Sequence, residues 1–358
     1  MNKSDMPALG IIEGFFGRSW SWADRESYAN FLAPNEFNFY IYAPKDDIYL
    51  RKHWQQDWPS ETKQQLSRLR NVYREAQIDF GIGLSPHEIY LDRSPERYAQ
   101  LITRVKQINE LSPDILCLLF DDMRGDIPNL ANLQIDYMHR VAEVSTAKRI
   151  IFCPTYYSFD PVLEKVFGKV PDNYWQDLNK NIDKNIDIFW TGEKVCSAEY
   201  PVNHLNSVEE LLGRKPFLWD NYPVNDSAAK SNILQLRAVN QSHSQIQQNV
   251  SGHALNPMNQ AWLSQIPLAS LTRAYREKNN YAPEKTFTEI ADALCGENLA
   301  QTLLQDLSLL QDKGLAKMSV EEKTELLKRY SAFPQNPFCA EIIDWLNGGY
   351  TFDPACLT

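Results

Sequence analysis

The sequence predicts an α/β fold, a (β/α)8 barrel carrying an α-helical appendage at its C-terminal end. Three observations predict it. Eight short apolar runs recur along the chain, each stopping at polar, Gly or Pro residues. The ends of these runs fall at intervals of about 30 to 40 residues, the length that a strand, a helix and two loops occupy in such a barrel. Beyond about residue 280 the runs cease, and only amphipathic helical segments follow.

The runs are ALGIIEG (8–14), FNFYIYAP (37–44), DFGIGLSP (79–86), DILCLLFDD (114–122), RIIFCPTYY (149–157), IDIFWTG (186–192), PFLWDNYP (216–223) and GHALNPM (252–258). Their near-continuous apolar character is what strands covered on both faces require. Between them, SWADRESYANFLA (21–33) opens on a serine cap, and residues 61–77 place Leu66, Leu69 and Val72 at helical spacing. Residues 94–111 have Ser94 as N-cap, Pro95 at the first helical position, and Tyr98, Leu101, Ile102 and Val105 on one face. The crossovers at 160–180 and 227–250 are weaker helical patterns, and irregular structure is expected after the second and seventh strands. The polar stretch REKNNYAPEK sets a boundary, dividing the chain into a catalytic barrel over 1–280 and a helical region over 281–358.

At 358 residues and 43% hydrophobic the chain is globular, and its net charge of −10 excludes a basic nucleic-acid footprint. No apolar run is long enough for a leader or a membrane span, so a soluble, cytoplasmic protein is expected, with neither nucleic acid nor membrane as partner. The six cysteines form no CxxC pair and read as reduced, buried thiols.

Functional residues of such barrels gather at the C-terminal ends of the strands. Here those ends carry Glu13-Gly14, Lys45-Asp46-Asp47, Asp121-Asp122, Tyr156-Tyr157, Trp190-Thr191, Trp219-Asp220-Asn221 with Asp226, and Asn256. Carboxylates and amides that can share hydroxyl groups, aromatic rings that cover apolar sugar faces, and paired carboxyl groups are the composition of a carbohydrate site. The six histidines show no HxxxH or HxH pair, which argues against a catalytic metal. Neither a phosphate loop nor a G-x-S-x-G elbow is present, and no cofactor is expected. Taken singly, several of these residues have a plainer reading: Asp46 and Asp47 as a solvated loop, Trp190 as core, Cys153 as packing, and Glu13 as a brace to Arg18 or Lys45.

The series IIEGFFGRSW, YAPKDD, LLFDD, FCPTYY, FWTGEKV, LWDNYPVND and LNP, in this order, resembles the motif series of family 84 of the glycoside hydrolases, the O-GlcNAcases and related β-N-acetylglucosaminidases. The resemblance covers about residues 9 to 260 and implies a retaining β-N-acetylglucosaminidase. Its hydrolysis would be substrate-assisted: the sugar's own 2-acetamido oxygen attacks the anomeric carbon and gives an oxazoline. Asp121 would orient the acetamido group and stabilise the oxazolinium, and Asp122 would act as general acid and then base. The resemblance further implies that Gly14 offers its carbonyl and Lys45 its ammonium to sugar hydroxyls, and that Tyr157 positions the acetamido oxygen. By the same carry-over Trp219 and Cys153 line the acetamido pocket, Asn221, Asp226 and Asn256 hold the pyranose, and Trp190 and Val195 are wall candidates. Implied partners are a glycoprotein or small glycoside bearing N-acetylglucosamine, and helical tails of this kind suit a homo-oligomer. Tyr156 stands where the family often has an acid, and Phe16 where a Tyr is common. The alternative from another functional class is a silent reader module that binds the sugar without turnover.

Overall fold

A computed structural model describes residues 6–354. Eight parallel strands close into one barrel in sequence order: β1 (Ala8–Glu13), β2 (Phe39–Tyr42), β3 (Asp79–Leu84), β4 (Ile115–Leu119), β5 (Arg149–Cys153), β6 (Asp187–Trp190), β7 (Phe217–Asp220) and β8 (Gly252–Leu255). Closure is made by β8 on β1, with Ala8 opposite Gly252 and Ile11 opposite Leu255. Each strand lies within one of the apolar runs, and the residues that end the runs pass into the loops above the barrel.

The barrel is filled, as an eight-stranded closure demands. Phe39 of β2 and Phe217 of β7 come from strands that are not neighbours, yet their rings meet edge to face at 5.7 Å, so they touch across the interior. Gly10 on β1 makes room for one of them: a Cβ there would lie 2.4 Å from the Phe39 ring. At the N-terminal end of the barrel the Arg149 guanidinium covers the Phe217 ring at 4.8 Å and pairs with Asp187 at 2.7 Å. The opposite end stays open to form the candidate site.

The outer layer holds α1 (Trp22–Leu32), α2 (Ser60–Glu75), α3 (Pro95–Glu110), α4 (Leu130–Val144), α5 (Pro161–Phe167), α6 (Tyr174–Asn181), α7 (Val202–Leu212) and α8 (Ala261–Glu277). Helix α1 begins with a full capping box between Ser21 and Asp24, and Ser94 caps α3 ahead of Pro95. The face of α2 that meets the barrel is centred on Leu66, Leu69 and Tyr73, with Val72 at its edge. The β5–β6 crossover is split into two short helices, and the β7–β8 crossover holds only two 3-10 turns, Lys230–Asn232 and Gln241–Gln245. Both were the weakest helical patterns in the sequence, and neither has an apolar stripe long enough to pack as one helix.

Past the barrel come α9 (Pro283–Cys295), α10 (Glu297–Leu307), α11 (Val320–Ser331) and α12 (Pro337–Leu346), with π-helical turns continuing α10 through Lys313. Their buried residues, including Phe287, Leu303, Ile342 and Trp345, are continuous with the barrel core. Several contacts tie the two regions, among them one between α12 and α8. Helix α8 has no side-chain cap of its own, and the carboxylate of Glu341 on α12 takes its place, accepting the backbone N–H groups of Trp262 at 3.0 Å and Leu263 at 2.8 Å. Burial outweighs these bonds and pushes Glu341 up to about 8.

Candidate active site

Asp121 and Asp122 follow β4 at the point where the chain leaves the barrel. Phe120 extends the strand's pairing through its N–H to Cys153 O at 2.9 Å, and Thr155 Oγ1 donates to Phe120 O at 2.8 Å. The two aspartates therefore start from a fixed backbone, and in the turn beyond it both side chains reach one place. Lys45 marks that place. Its ammonium lies 2.5 Å from Asp121 Oδ2 and 2.7 Å from Asp122 Oδ2, and Arg51 stands 3.7 Å from the latter oxygen. Two anions and two cations thus face each other in a largely buried setting, the arrangement that lets adjacent carboxylates coexist.

Lys45 and Arg51 share the irregular loop after β2. Arg51 donates to Lys45 O at 3.2 Å, and both cations lie against the Phe16 ring, at 5.6 Å and 5.0 Å from its centre. Burial raises Asp121, against the pull of Lys45. For Asp122 burial acts in the same direction, but Lys45 and Arg51 outweigh it and hold this carboxyl below its ordinary value. One oxygen of Asp121, Oδ1, is buried and has no hydrogen-bond partner among the described residues.

All ten predicted site residues line one cavity of about 180 Å³: Gly14, Lys45, Asp121, Asp122, Cys153, Tyr157, Trp219, Asn221, Asp226 and Asn256. That volume is below the roughly 300–1,000 Å³ of sites for drug-sized ligands and suits a single ring. The far wall is a chain of side-chain bonds. Trp219 Nε1 donates to Asn221 Oδ1 at 3.0 Å, as does Asn256 Nδ2 at 3.0 Å, while Asn221 Nδ2 donates to Val195 O at 2.8 Å. Asn256 Oδ1 accepts from the N–H of Gly14 at 3.2 Å. What approaches Gly14 closely is the Trp219 indole, since a Cβ at 14 would lie 2.4 Å from its Cζ2. Asp226 holds the first loop by accepting from the Phe16 N–H at 2.9 Å, and burial raises its carboxyl. Burial likewise raises the Tyr157 hydroxyl and the Cys153 thiol, so both stay protonated.

The model of the beta-N-acetylglucosaminidase family matches residues 9–307, most of the chain. The chain belongs to this family of glycoside hydrolases. It is similar to the protein O-GlcNAcases of Rattus norvegicus and Mus musculus, each 29% identical over 234 residues, which is 63% of this chain and 25% of theirs. The matched stretch is therefore a quarter of those relatives' length. Among solved structures, an O-GlcNAc hydrolase variant of Thermobaculum terrenum aligns with a TM-score of 0.79 at 27% identity, over 96% of this chain and 81% of that one. A second, CpGH84B, aligns with a TM-score of 0.76 over 96% of this chain and 66% of that one; at 21% identity it bears on the fold alone.

For a beta-N-acetylglucosaminidase family member, several neighbours of the cavity were not foreseen as site residues. Val224 and Cys196 line it, as does Phe16, marked in the sequence only as a departure; Thr191, one of the strand-end residues, lines it too. Val195 lines the cavity too. Trp190 does not: it is buried, donates to His204 Nε2 at 3.1 Å and packs on Phe159. Glu13 braces the barrel through Arg25 at 2.6 Å and Tyr40 at 2.5 Å, rather than through Arg18 or Lys45. Asp47 is a loop brace for Tyr42 and Trp58, and Asp46 is exposed. Arg51 carried no local signal, because only the folded loop brings it back to Asp122. One gathering of imidazole and carboxylate lies behind the cavity wall: the Nε2 atoms of His243 and His253 both face Asp220 Oδ2. Among the described residues no helix is long and apolar enough to cross a membrane.

Proposed function

We propose that the protein is a retaining β-N-acetylglucosaminidase of the O-GlcNAcase type, removing terminal β-linked N-acetylglucosamine by substrate-assisted catalysis. The observation that carries this reading is the convergence of Asp121 and Asp122 on one ring-sized cavity, bridged by Lys45. Asp121 accepts the N–H of the 2-acetamido group, for which its buried, unpartnered Oδ1 is available. As the acetamido oxygen attacks the anomeric carbon, positive charge grows on the forming ring and the Asp121 carboxylate opposes it. Asp122, the more exposed of the two, gives a proton to the leaving oxygen and then takes one from the water that opens the oxazoline.

With Lys45 bridging them, the order of the two carboxyls is the reverse of what this cycle requires, with Asp121 raised and Asp122 lowered. Sugar binding supplies a means of inverting it. A pyranose excludes water from Asp122 and draws the Lys45 ammonium toward its hydroxyls, which removes the charge that holds Asp122 down. The acetamido N–H gives Asp121 the donor it lacks, favouring its ionised form. Trp219 and Cys153 border the acetamido methyl, Tyr157 steers its oxygen, Gly14 offers its carbonyl, and Asn221, Asp226 and Asn256 hold the remaining hydroxyls.

The substrate is a glycoprotein modified on Ser or Thr or a small glycoside with the same sugar, met in the cytoplasm. Release of 4-nitrophenol from its β-N-acetylglucosaminide tests the reading: wild type turns over and Asp121→Asn is severely impaired. Wild-type turnover no faster than that variant would instead mark a sugar-binding reader.

A further inference from the structure

We propose that Asp220, His243 and His253 form a structural binding site for a divalent transition metal, zinc by its donor set, on the back of the cavity wall. The site is separate from the proposed sugar chemistry, since none of the three residues lines the cavity. They come from three places in the fold: the end of β7, the 3-10 turn Gln241–Gln245 of the β7–β8 crossover, and β8. All three are buried, and one ligand atom of each lies within 4.8 Å of the other two.

The orientation of the rings turns this proximity into a donor set. His243 Nδ1 lies 3.0 Å from Asn240 Oδ1, and that oxygen is identified by its other bonds: it accepts from Ser242 N at 3.0 Å, while the amide nitrogen donates to Ala198 O. Nδ1 therefore donates to Asn240, and Nε2 is the nitrogen that faces Asp220 Oδ2, at 2.8 Å. His253 repeats the pattern, with Nδ1 3.0 Å from the Tyr275 hydroxyl and Nε2 3.2 Å from the same carboxylate oxygen. Metal-bound imidazoles are held in this way, the far N–H fixed by an oxygen and the near nitrogen turned to the ion. Two imidazole nitrogens and one carboxylate oxygen suit zinc or a neighbouring transition metal, whereas calcium and magnesium take oxygens. With zinc bonds of about 2.0–2.1 Å in a tetrahedron, ligand atoms stand about 3.3 Å apart, so Asp220 Oδ2 needs to move by only about half an ångström.

Tyr200 is the second, independent sign. Its hydroxyl is buried and has no hydrogen-bond partner among the described residues. Burial raises that hydroxyl, and Asp220 is the charge that bears on it most strongly. The ring meets both imidazoles edge-on, at 5.2 Å from His243 and 5.9 Å from His253. A proton shared between His243 and Asp220 would satisfy that pair alone and leave the hydroxyl stranded, a costly state for a buried polar group. A metal ion takes the hydroxyl oxygen as its fourth partner, directly or through a water, and completes the tetrahedron. The ion then clamps the crossover and β8 to the end of β7, behind Trp219 and Asn221, the sequence neighbours of Asp220 that do line the cavity.

Elemental analysis of the full chain, freed of any affinity tag and expressed in zinc-supplemented medium, should find about one zinc per chain after dialysis. With cobalt in place of zinc, the protein should show the intense visible bands of a tetrahedral ion. His243→Gln and His253→Gln should each lose the metal. Zinc returned to the metal-free wild type should raise its melting temperature and leave that of either variant unchanged. Tyr200→Phe keeps the aromatic core and should weaken zinc by about 10- to 100-fold, read by competition with a chromophoric chelator. Wild type that carries no zinc, and takes up none when unfolded and refolded in its presence, overturns the proposal. Zinc held as tightly by His243→Gln as by wild type, or by Tyr200→Phe should the histidine variants not fold, also overturns it. None of these readouts involves the sugar, so a failure of the glycosidase reading leaves them standing.

Discussion

The Lys45 ammonium lies 2.5 Å from Oδ2 of Asp121, and the same nitrogen reaches Asp122 at 2.7 Å. One cation thus holds together two carboxylates that chain adjacency would otherwise set against each other. In the proposed cycle it is also the group that must move, because the sugar competes for it.

Replacing it tests both statements. Lys45→Met should lower kcat/KM by about 10²- to 10³-fold, the usual loss for one preorganised electrostatic partner. It should also cost about 3–5 kcal/mol of stability near neutral pH by leaving the buried Asp121 carboxyl without its cation, while Asp122 keeps Arg51. Burial already raises Asp121 against the pull of Lys45, and without the cation that carboxyl stands further above its unfolded value. The variant is then closest to wild type at low pH, and its deficit grows as pH rises through the raised value. Denaturant titrations at pH 5 and pH 8 check this; a deficit equal at both would count against it.

The two aspartates should fail differently. Asp122→Asn removes acid assistance, so aryl glycosides with good leaving groups should keep far more activity than alkyl or serine-linked ones. Asp121→Asn should depress all of them alike, because it acts on the sugar side of the bond. Plots of log kcat/KM against leaving-group pKa distinguish the two: a steep slope for the first variant and a near-wild-type slope for the second.

The inverted order of the carboxyls in the free protein gives a pH prediction. The kcat/KM profile reports the free protein, where Lys45 and Arg51 hold Asp122 down, and the kcat profile reports the sugar complex. The basic limb should therefore lie at higher pH in kcat than in kcat/KM, each limb belonging to the coupled pair. Coincident limbs would rule out the rearrangement.

The link between α12 and α8 predicts a pH effect on the fold. Glu341 is raised to about 8, so its contribution is fully present below its unfolded value near 4.5 and is lost as pH rises through about 8. Melting temperature should fall between pH 5 and pH 8.5. Glu341→Gln, which cannot ionise and keeps a carbonyl oxygen for only one of the Trp262 and Leu263 N–H groups, should flatten that slope.

The barrel was legible because strands covered on both faces are apolar throughout, and eight such runs at even spacing have few other solutions. The β7–β8 crossover was legible only as irregular: its Gln-rich stretch has no helical stripe, and the particular side-chain bonds that hold it leave no periodic trace. Within the site, motif order brought Gly14, Lys45, Trp219 and Asn256 to one cavity despite their separation in sequence. Arg51 was missed because its value depends on a loop path that periodicity does not encode. Trp190 shows the opposite limit: a strand-end aromatic reads alike whether it turns to the cavity or, as here, to Phe159 and His204. His243 lay unseen in the polar crossover, its partners Asp220 and His253 fixed only by the closed barrel.

The most direct test is a crystal structure of the protein with a thiazoline mimic of the oxazoline intermediate. The account predicts the thiazoline nitrogen within about 3 Å of an Asp121 oxygen, Asp122 beside the anomeric carbon on the open side, and Lys45 drawn from Asp122 toward a sugar hydroxyl. A mimic bound with Asp121 out of reach, or with Lys45 still bridging both carboxylates, would contradict it.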